Sequence, residues 1–355
     1  MVYLIAFLLS LVIAAVLTVI VRKQAITLRI FAQTSSTKGH ALDDRKIPYL
    51  GGLAIYGSFV AVTLTFVPMS RQLAALLIGG TLLAVVGAVD DVRHINAKVR
   101  LAFQVLAAGI VLAGGIGIVT VTNPFGGVID LSYGRFAVDL LGFQFHITPI
   151  ANLFSILWIV GMVNTINFLD GLDGLAGGVS AISALVIFAL AISPGVNQPL
   201  VALLAIILAG SALGFLPFNF FPAKIFMGDS GAYFLGLTLA LLAIYSGGKL
   251  ATIGLVLGFT IIDAIWAAVR RIRRRTSPFA ADREHLHHLL INAGLSQRRA
   301  VLLLYLLAIV FGGVALMSQS FSKLVALIIL FAIMVTLIAS LIRIGRRKQA
   351  SDKPL

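Results

Sequence analysis

The sequence predicts an all-α polytopic membrane protein of about eleven transmembrane helices. Three observations carry this. The 355 residues are 60% hydrophobic and only 11% charged, whereas a soluble domain is about half apolar and a quarter charged. The mean hydropathy is +1.06. Apolar runs of about 20 residues, the length that crosses a bilayer as a helix, recur along the whole chain. A single integral domain over 1–355 is expected, ending in a basic tail over 343–355.

The runs fall at 2–21, 50–68, 72–89, 101–120, 148–166, 174–193, 199–216, 230–246, 250–269, 300–317 and 323–342. The first has its charges, Arg22 and Lys23, after it rather than before it, so no cleavable leader is expected. The third closes on Asp90-Asp91, and the fifth runs out through Asn164, Asn167, Asp170 and Asp173. The longest outward gap, 121–147, shows strand-like alternation at Val128-Ile129 and again over Phe143–Ile147. A short external β-hairpin is expected there. The eighth run follows Asp229, and the ninth holds Asp263.

Charge fixes the orientation. Of 27 Lys and Arg residues, 23 fall in alternate gaps and in the C-terminal tail, and four in the gaps between. Cytoplasmic loops carry the basic excess, which places the N-terminus outside and the C-terminus in the cytoplasm. The net charge of +14 is therefore mostly a topology signal, and nucleic acid is not an expected partner. The absence of cysteine excludes disulfides, thiolate metal sites and a cysteine nucleophile.

Only 13 acidic residues are present, and most sit in the inward gaps. Acids gathered at a membrane surface suggest metal-assisted chemistry on phosphates. Asp90 and Asp91 lie at a helix C-terminus, where the dipole disfavours them. They read either as a metal ligand with a base or as a pair acting on a bound phosphate; the plain alternative is a solvated helix end paired with Arg93. Asn164, Asn167, Asp170 and Asp173 recur every three residues in a gap with no Lys or Arg. They read as a cation or ligand site, or as caps of a turn. Asp229 reads as a metal ligand, a cap of the following helix, or both, and a phosphate is favoured near that helix N-terminus.

The inward gap 270–299 holds the loop Asp282-Arg283-Glu284-His285-Leu286-His287-His288, which follows Arg270, Arg271 and Arg273-Arg274-Arg275. Three histidines without cysteine fit zinc poorly. Arginine and histidine at a membrane surface better suit pyrophosphate recognition. Asp263 is either functional or a partner between helices.

At these residues the chain resembles the polyprenyl-phosphate N-acetylhexosamine-1-phosphate transferases. The resemblance covers about 38–310. It rests on Pro48-Tyr-Leu-Gly-Gly52, Asp90-Asp91 with Lys98, Asn164 to Gly174, Ala223 to Gly231, and Ser277-Pro-Phe-Ala-Ala-Asp-Arg-Glu-His-Leu-His-His288. The last block resembles the branch that begins O-antigen, enterobacterial common antigen and teichoic acid synthesis. Lys38-Gly-His40 stands farther from Pro48 than the usual Lys-x-His motif does, which leaves Lys38 and Lys46 without an assigned role.

The resemblance implies that N-acetylglucosamine-1-phosphate passes from a UDP-amino sugar to undecaprenyl phosphate, with release of UMP. It implies Mg2+, replaceable by Mn2+, held by Asp229 with Asn167. Asp90 and Asp91 would act on the lipid phosphate. Asn164, Asp170, Asp173 and Phe226 would line the nucleotide site, Phe226 against uracil. Lys98, Arg283, His285, His287 and His288 would contact pyrophosphate or sugar. The active site would face the cytoplasm from the plasma membrane, and a homodimer is allowed. Competing readings are the muramoyl-pentapeptide transferase of peptidoglycan synthesis and, in another class, an ion-coupled transporter. A reporter fused after Gln349 is expected to be active only in the cytoplasm; activity confined to the exterior contradicts the orientation.

Overall fold

The computed structural model describes residues 1–31, 46–140, 143–246, 250–273, 285–318 and 320–351. Lys38, His40 and Arg283 lie outside the described residues. Every predicted run contains a helix, although the run 101–120 is helical only as far as Ala113. In order they are α1 (Val2–Thr27), α2 (Gly52–Phe66), α3 (Arg71–Arg93), α4 (Ala97–Ala113), α5 (Pro149–Leu169), α6 (Leu175–Ala191), α7 (Pro199–Asn219), α8 (Gly228–Tyr245), α9 (Leu250–Val256) and α10 (Gly258–Arg273). A short α11 (Leu286–Asn292) leads to α12 (Gln297–Met317) and α13 (Ser320–Ser351).

Seven of these helices are long and apolar enough to cross a membrane, or eight if α9 and α10 count as one broken span. The others fall short for stated reasons. α2 has 15 residues, and α4 and α6 have 17 each, which at 1.5 Å per residue reach about 22 and 25 Å. The predicted run 250–269 is not one straight helix: α9 and α10 meet at 79° across Leu257. Gly258 follows the break and lies so close to Leu330 of α13 that a side chain there would collide.

The outward gap between α4 and α5 contains more strand than expected. Val128–Asp130 (β2) pairs antiparallel with Thr120–Thr122 (β1), and Phe143–Ile147 (β4) pairs with Phe136–Leu140 (β3). The two strand-like stretches read from the sequence thus belong to separate two-stranded ribbons and do not pair with each other.

α8 is the centre of the bundle. Residues Gly228 to Ile244 are all buried, and α2, α3, α5, α6, α7 and α9 pack around them. An apolar helix surrounded by helices explains why it shows no amphipathic stripe. Trp158 of α5 donates its indole N–H to the Ala240 carbonyl at 3.2 Å, so even the one indole facing α8 is satisfied.

The gaps predicted to face inward meet at one end of this bundle. Arg22 donates to the Lys224 carbonyl, Tyr49 packs on Phe226, Asp173 accepts from Ala223 N–H, and Arg298 donates to the Phe221 carbonyl. The two β-ribbons follow α4, whose opposite end enters the inward cluster.

Candidate active site

Four helix ends build the site: the C-termini of α3 and α5 and the N-termini of α4 and α8. The buried N-terminus of α8 leaves amide hydrogens that need acceptors. Asp91 of α3 supplies them. Its Oδ1 accepts from Asp229 N–H at 2.7 Å, and its Oδ2 lies 3.4 Å from Ser230 N. Two glycines permit the approach. Gly228 has φ +75° and faces the Asp91 carboxylate where a Cβ would collide. Gly87, one turn before Asp91, lies directly against the Asp229–Ser230 backbone.

Asp229 then sits in the first turn of α8, 7% exposed. Asn167 of α5 donates Nδ2–H to its Oδ1 at 2.7 Å. Tyr233, one helical turn on, lies 3.5 Å from its Oδ2. The same tyrosine hydroxyl lies 3.3 Å from Asp90 Oδ2. Asp90 is 3% exposed. Its Oδ1 accepts from Ile95 N–H at 2.6 Å, which closes the α3–α4 turn, and its Oδ2 accepts from Arg100 at 2.9 Å. Arg100 also lies 3.7 Å from Asp229 Oδ2. One guanidinium therefore bridges two carboxylates on different helices.

Beside this network Asn164 donates to Gln104 Oε1 at 2.7 Å and to the Val160 carbonyl at 2.8 Å. Arg100, Gln104, Asn164, Asn167, Phe168 and Tyr233 line a cavity of about 30 Å³. That is room for about one water or ion.

The remaining expected residues are placed as follows. Lys98 is exposed, and its N–H is taken by the Asn96 cap of α4. Asp170 is the C-cap of α5. Asp173 is buried and holds Ala223 N–H at 3.0 Å, so it ties the α5–α6 turn to the segment ahead of α8. Phe226 is 5% exposed, with its ring against Tyr49 at 5.6 Å. His285 and His287 are buried, and His285 stacks on Phe168 at 5.5 Å. The histidine segment thus lies against the end of α5, next to Asn167. Asp263 pairs with His285.

Arg100, Gln104 and Tyr233 were not read from the sequence as site residues. Arg100 was absorbed into the orientation count. Gln104, a lone amide in an apolar run, and Tyr233, four residues past Asp229, were the available signals.

The donor set suits a hard cation. Carboxylate and amide groups meet at Asp229 and Asn167, with no sulfur among them. Among the described residues no three of His, Asp and Glu form a metal cage. Mg2+ in phosphate enzymes needs none, because it takes one or two carboxylates and completes its shell with water and substrate phosphates.

Residues 73–247, from α3 to just past α8, match glycosyl transferase family 4. The chain is similar to the probable undecaprenyl-phosphate N-acetylglucosaminyl 1-phosphate transferase of Bacillus subtilis, at 35% identity over 93% of this chain and 89% of that protein. It is similar to the decaprenyl-phosphate N-acetylglucosaminephosphotransferase of Mycobacterium leprae, at 33% identity over 85% and 81% of the two chains. It is also similar to the undecaprenyl-phosphate alpha-N-acetylglucosaminyl 1-phosphate transferase of Salmonella typhi, at 27% identity over 84% and 79%.

The Arg100–Asp90 pair makes a prediction. Arg100→Ala strips a nearly buried carboxylate of its counter-charge. With Arg100 about a third exposed (31%), the loss is expected at about 1–3 kcal/mol, below that of a fully buried pair. Asp90→Asn in the same chain should recover part of it. Thermal unfolding in detergent checks this: simple additivity of the two changes contradicts the coupling.

Proposed function

Because the chain belongs to glycosyl transferase family 4, among the polyprenyl-phosphate N-acetylhexosamine-1-phosphate transferases, we propose that it transfers N-acetylglucosamine-1-phosphate from UDP-N-acetylglucosamine to a polyprenyl phosphate, undecaprenyl phosphate in the first instance. UMP is released. The single observation that carries this reading is the junction of Asp90, Arg100, Asn167, Asp229 and Tyr233 where four helix ends meet.

An oxygen of the lipid phosphate attacks the sugar-bearing phosphorus. The new phosphorus–oxygen bond forms as the bond to UMP breaks, and UMP carries away the electron pair. Such a reaction needs alignment and charge neutralisation more than covalent participation by the protein. Asp229 with Asn167 is the place for Mg2+, which when bound neutralises charge on the pyrophosphate oxygens. Arg100 presents a planar fork of N–H donors suited to a phosphate. Asp90 fixes that fork and is the acid assigned to take a proton from the lipid phosphate. Asp91 acts from behind, by holding the α8 end that carries Asp229. Asn164 with Gln104, and the histidines at Phe168, border the place left for the sugar nucleotide.

The same reading places eleven crossings in the plasma membrane, with the N-terminus outside. The junction would then open to the cytoplasm, where the sugar nucleotide is made available. The acceptor is a lipid phosphate lying in the membrane with its head at that surface.

UMP release from UDP-N-acetylglucosamine is the test. It is expected to require both polyprenyl phosphate and Mg2+. Asp229→Asn should leave the protein inserted and folded while lowering turnover on the order of 100- to 1,000-fold, the scale of losing one directed charge-stabilising group. Release without the lipid, or near-parental turnover of the variant at limiting Mg2+, contradicts the assignment.

A further inference from the structure

The reaction described above makes no use of the buried acid Asp263. Asp263 lies inside α10 at 7% exposure, where an intramembrane carboxylate is costly unless it is bonded. Its two oxygens are divided between two partners. Oδ1 accepts from Leu286 N–H at 3.0 Å, and Oδ2 lies 2.9 Å from His285 Nδ1. The first bond caps α11, which begins at Leu286. Capping needs only one oxygen. The second bond is therefore a separate feature of the site.

A carboxylate already receiving one N–H is an acceptor to its other neighbour. His285 must then offer N–H at Nδ1, which leaves Nε2 as the nitrogen available to a ligand. The ring plane is fixed as well. Phe168 stacks on it at 5.5 Å with 27° between planes, and His287 at 5.8 Å with 2°. Phe168 also carries the Arg271 guanidinium at 5.7 Å and lines the cavity beside Asn167. His287 is seated against Gly171, where any side chain would displace it. The imidazole is held through its edge by Asp263 and through its plane by two rings.

We propose that Asp263 is a positioning residue that holds His285 by Nδ1 so that Nε2 meets the pyrophosphate of the sugar nucleotide. A phosphate oxygen accepts hydrogen bonds, so Nε2 carries a proton in that contact. With both ring nitrogens protonated, Asp263 is the counter-charge to the imidazolium. No bond is made or broken at His285; the pair orients and balances charge. The inference rests on the transfer reaction proposed above.

The test uses the full-length protein in detergent with Mg2+, UDP-N-acetylglucosamine and polyprenyl phosphate. In Asp263→Asn the amide offers one acceptor and one donor. Leu286 N–H takes the acceptor, so the donor meets Nδ1; the ring keeps its N–H at Nε2 but loses the counter-charge that holds it as an imidazolium. His285→Asn keeps an N–H near the place of Nδ1 and has no atom at Nε2. His285→Asn, which removes the donor, is expected to lower kcat/KM for the sugar nucleotide on the order of 100-fold, and Asp263→Asn, which leaves a neutral donor in place of a charged one, on the order of 10-fold. The KM for the lipid phosphate and the melting temperature should stay near the parental values. In the His285→Asn background, Asp263→Asn should cost less than about 2-fold more. An equal loss in both backgrounds overturns the proposal, as does parental activity of His285→Asn. If Asp263→Asn fails to fold, His285→Asn decides alone: folded with low activity supports the proposal, and folded with full activity overturns it. UMP release by the parent is measured first. Its absence sinks the transferase reading itself, whereas an active parent with additive variants sinks only the role of Asp263.

Discussion

The buried N-terminus of α8 is the constraint on which the rest of the structure depends. A helix end inside a bundle has backbone amides that neither water nor the helix itself can satisfy. Here the acceptor comes from another helix. Asp91 leaves the end of α3 and binds the amides of Asp229 and Ser230. That arrangement needs Gly228 at φ +75° and Gly87 in close contact with the α8 backbone. A capping carboxylate contributes about 1 kcal/mol as a hydrogen-bond acceptor, and the positive end of the helix dipole adds about 0.3–2 kcal/mol more. Once the end is fixed, Asp229 in the first turn can point only among Asn167, Tyr233 and Arg100.

Two consequences follow for chemistry. Three carboxylates, those of Asp90, Asp91 and Asp229, are gathered with one guanidinium, that of Arg100. That surplus of negative charge is what the proposed Mg2+ would balance. With Asn167 of α5 the groups come from four separate helices. Their alignment therefore depends on helix packing rather than on loop conformation, which suits a reaction catalysed by positioning. The histidine segment adds a second wall, tied to α10 through Asp263 and to α5 through Phe168.

Much of this was legible in the sequence, and the gaps have physical causes. Continuous apolar runs report helices because a helix satisfies its own backbone in lipid, and each predicted run contains one, though α4 stops at Ala113 within the run 101–120. The bend at Leu257 was not legible, because α13 packed against Gly258 decides it as much as the local residues do. The alternation at Val128-Ile129 and Phe143–Ile147 did report strands. Their partners, Thr120–Thr122 and Phe136–Leu140, are short or lie beside Gly and Arg, so the second ribbon was missed. The acids were legible as a group because they are rare. Asp91 was read from its own helix, where the dipole disfavours it; its reason for being there is the opposite end of α8, 138 positions away. Arg100 was hidden among residues that also set orientation. His285 and Asp263 were both noticed, yet nothing in the linear order joins residues on either side of a basic loop.

The central claim is that Asp91 holds the α8 end that carries the site. Hydrogen exchange at residues 228–231 tests it most directly. In Asp91→Ala these amides should exchange about 5 to 30 times faster, the factor matching a lost cap of about 1–2 kcal/mol. Exchange in the buried middle of α7, around Ile207, should stay as in the parent. Unchanged protection at 228–231, or equal acceleration throughout the bundle, would contradict the account.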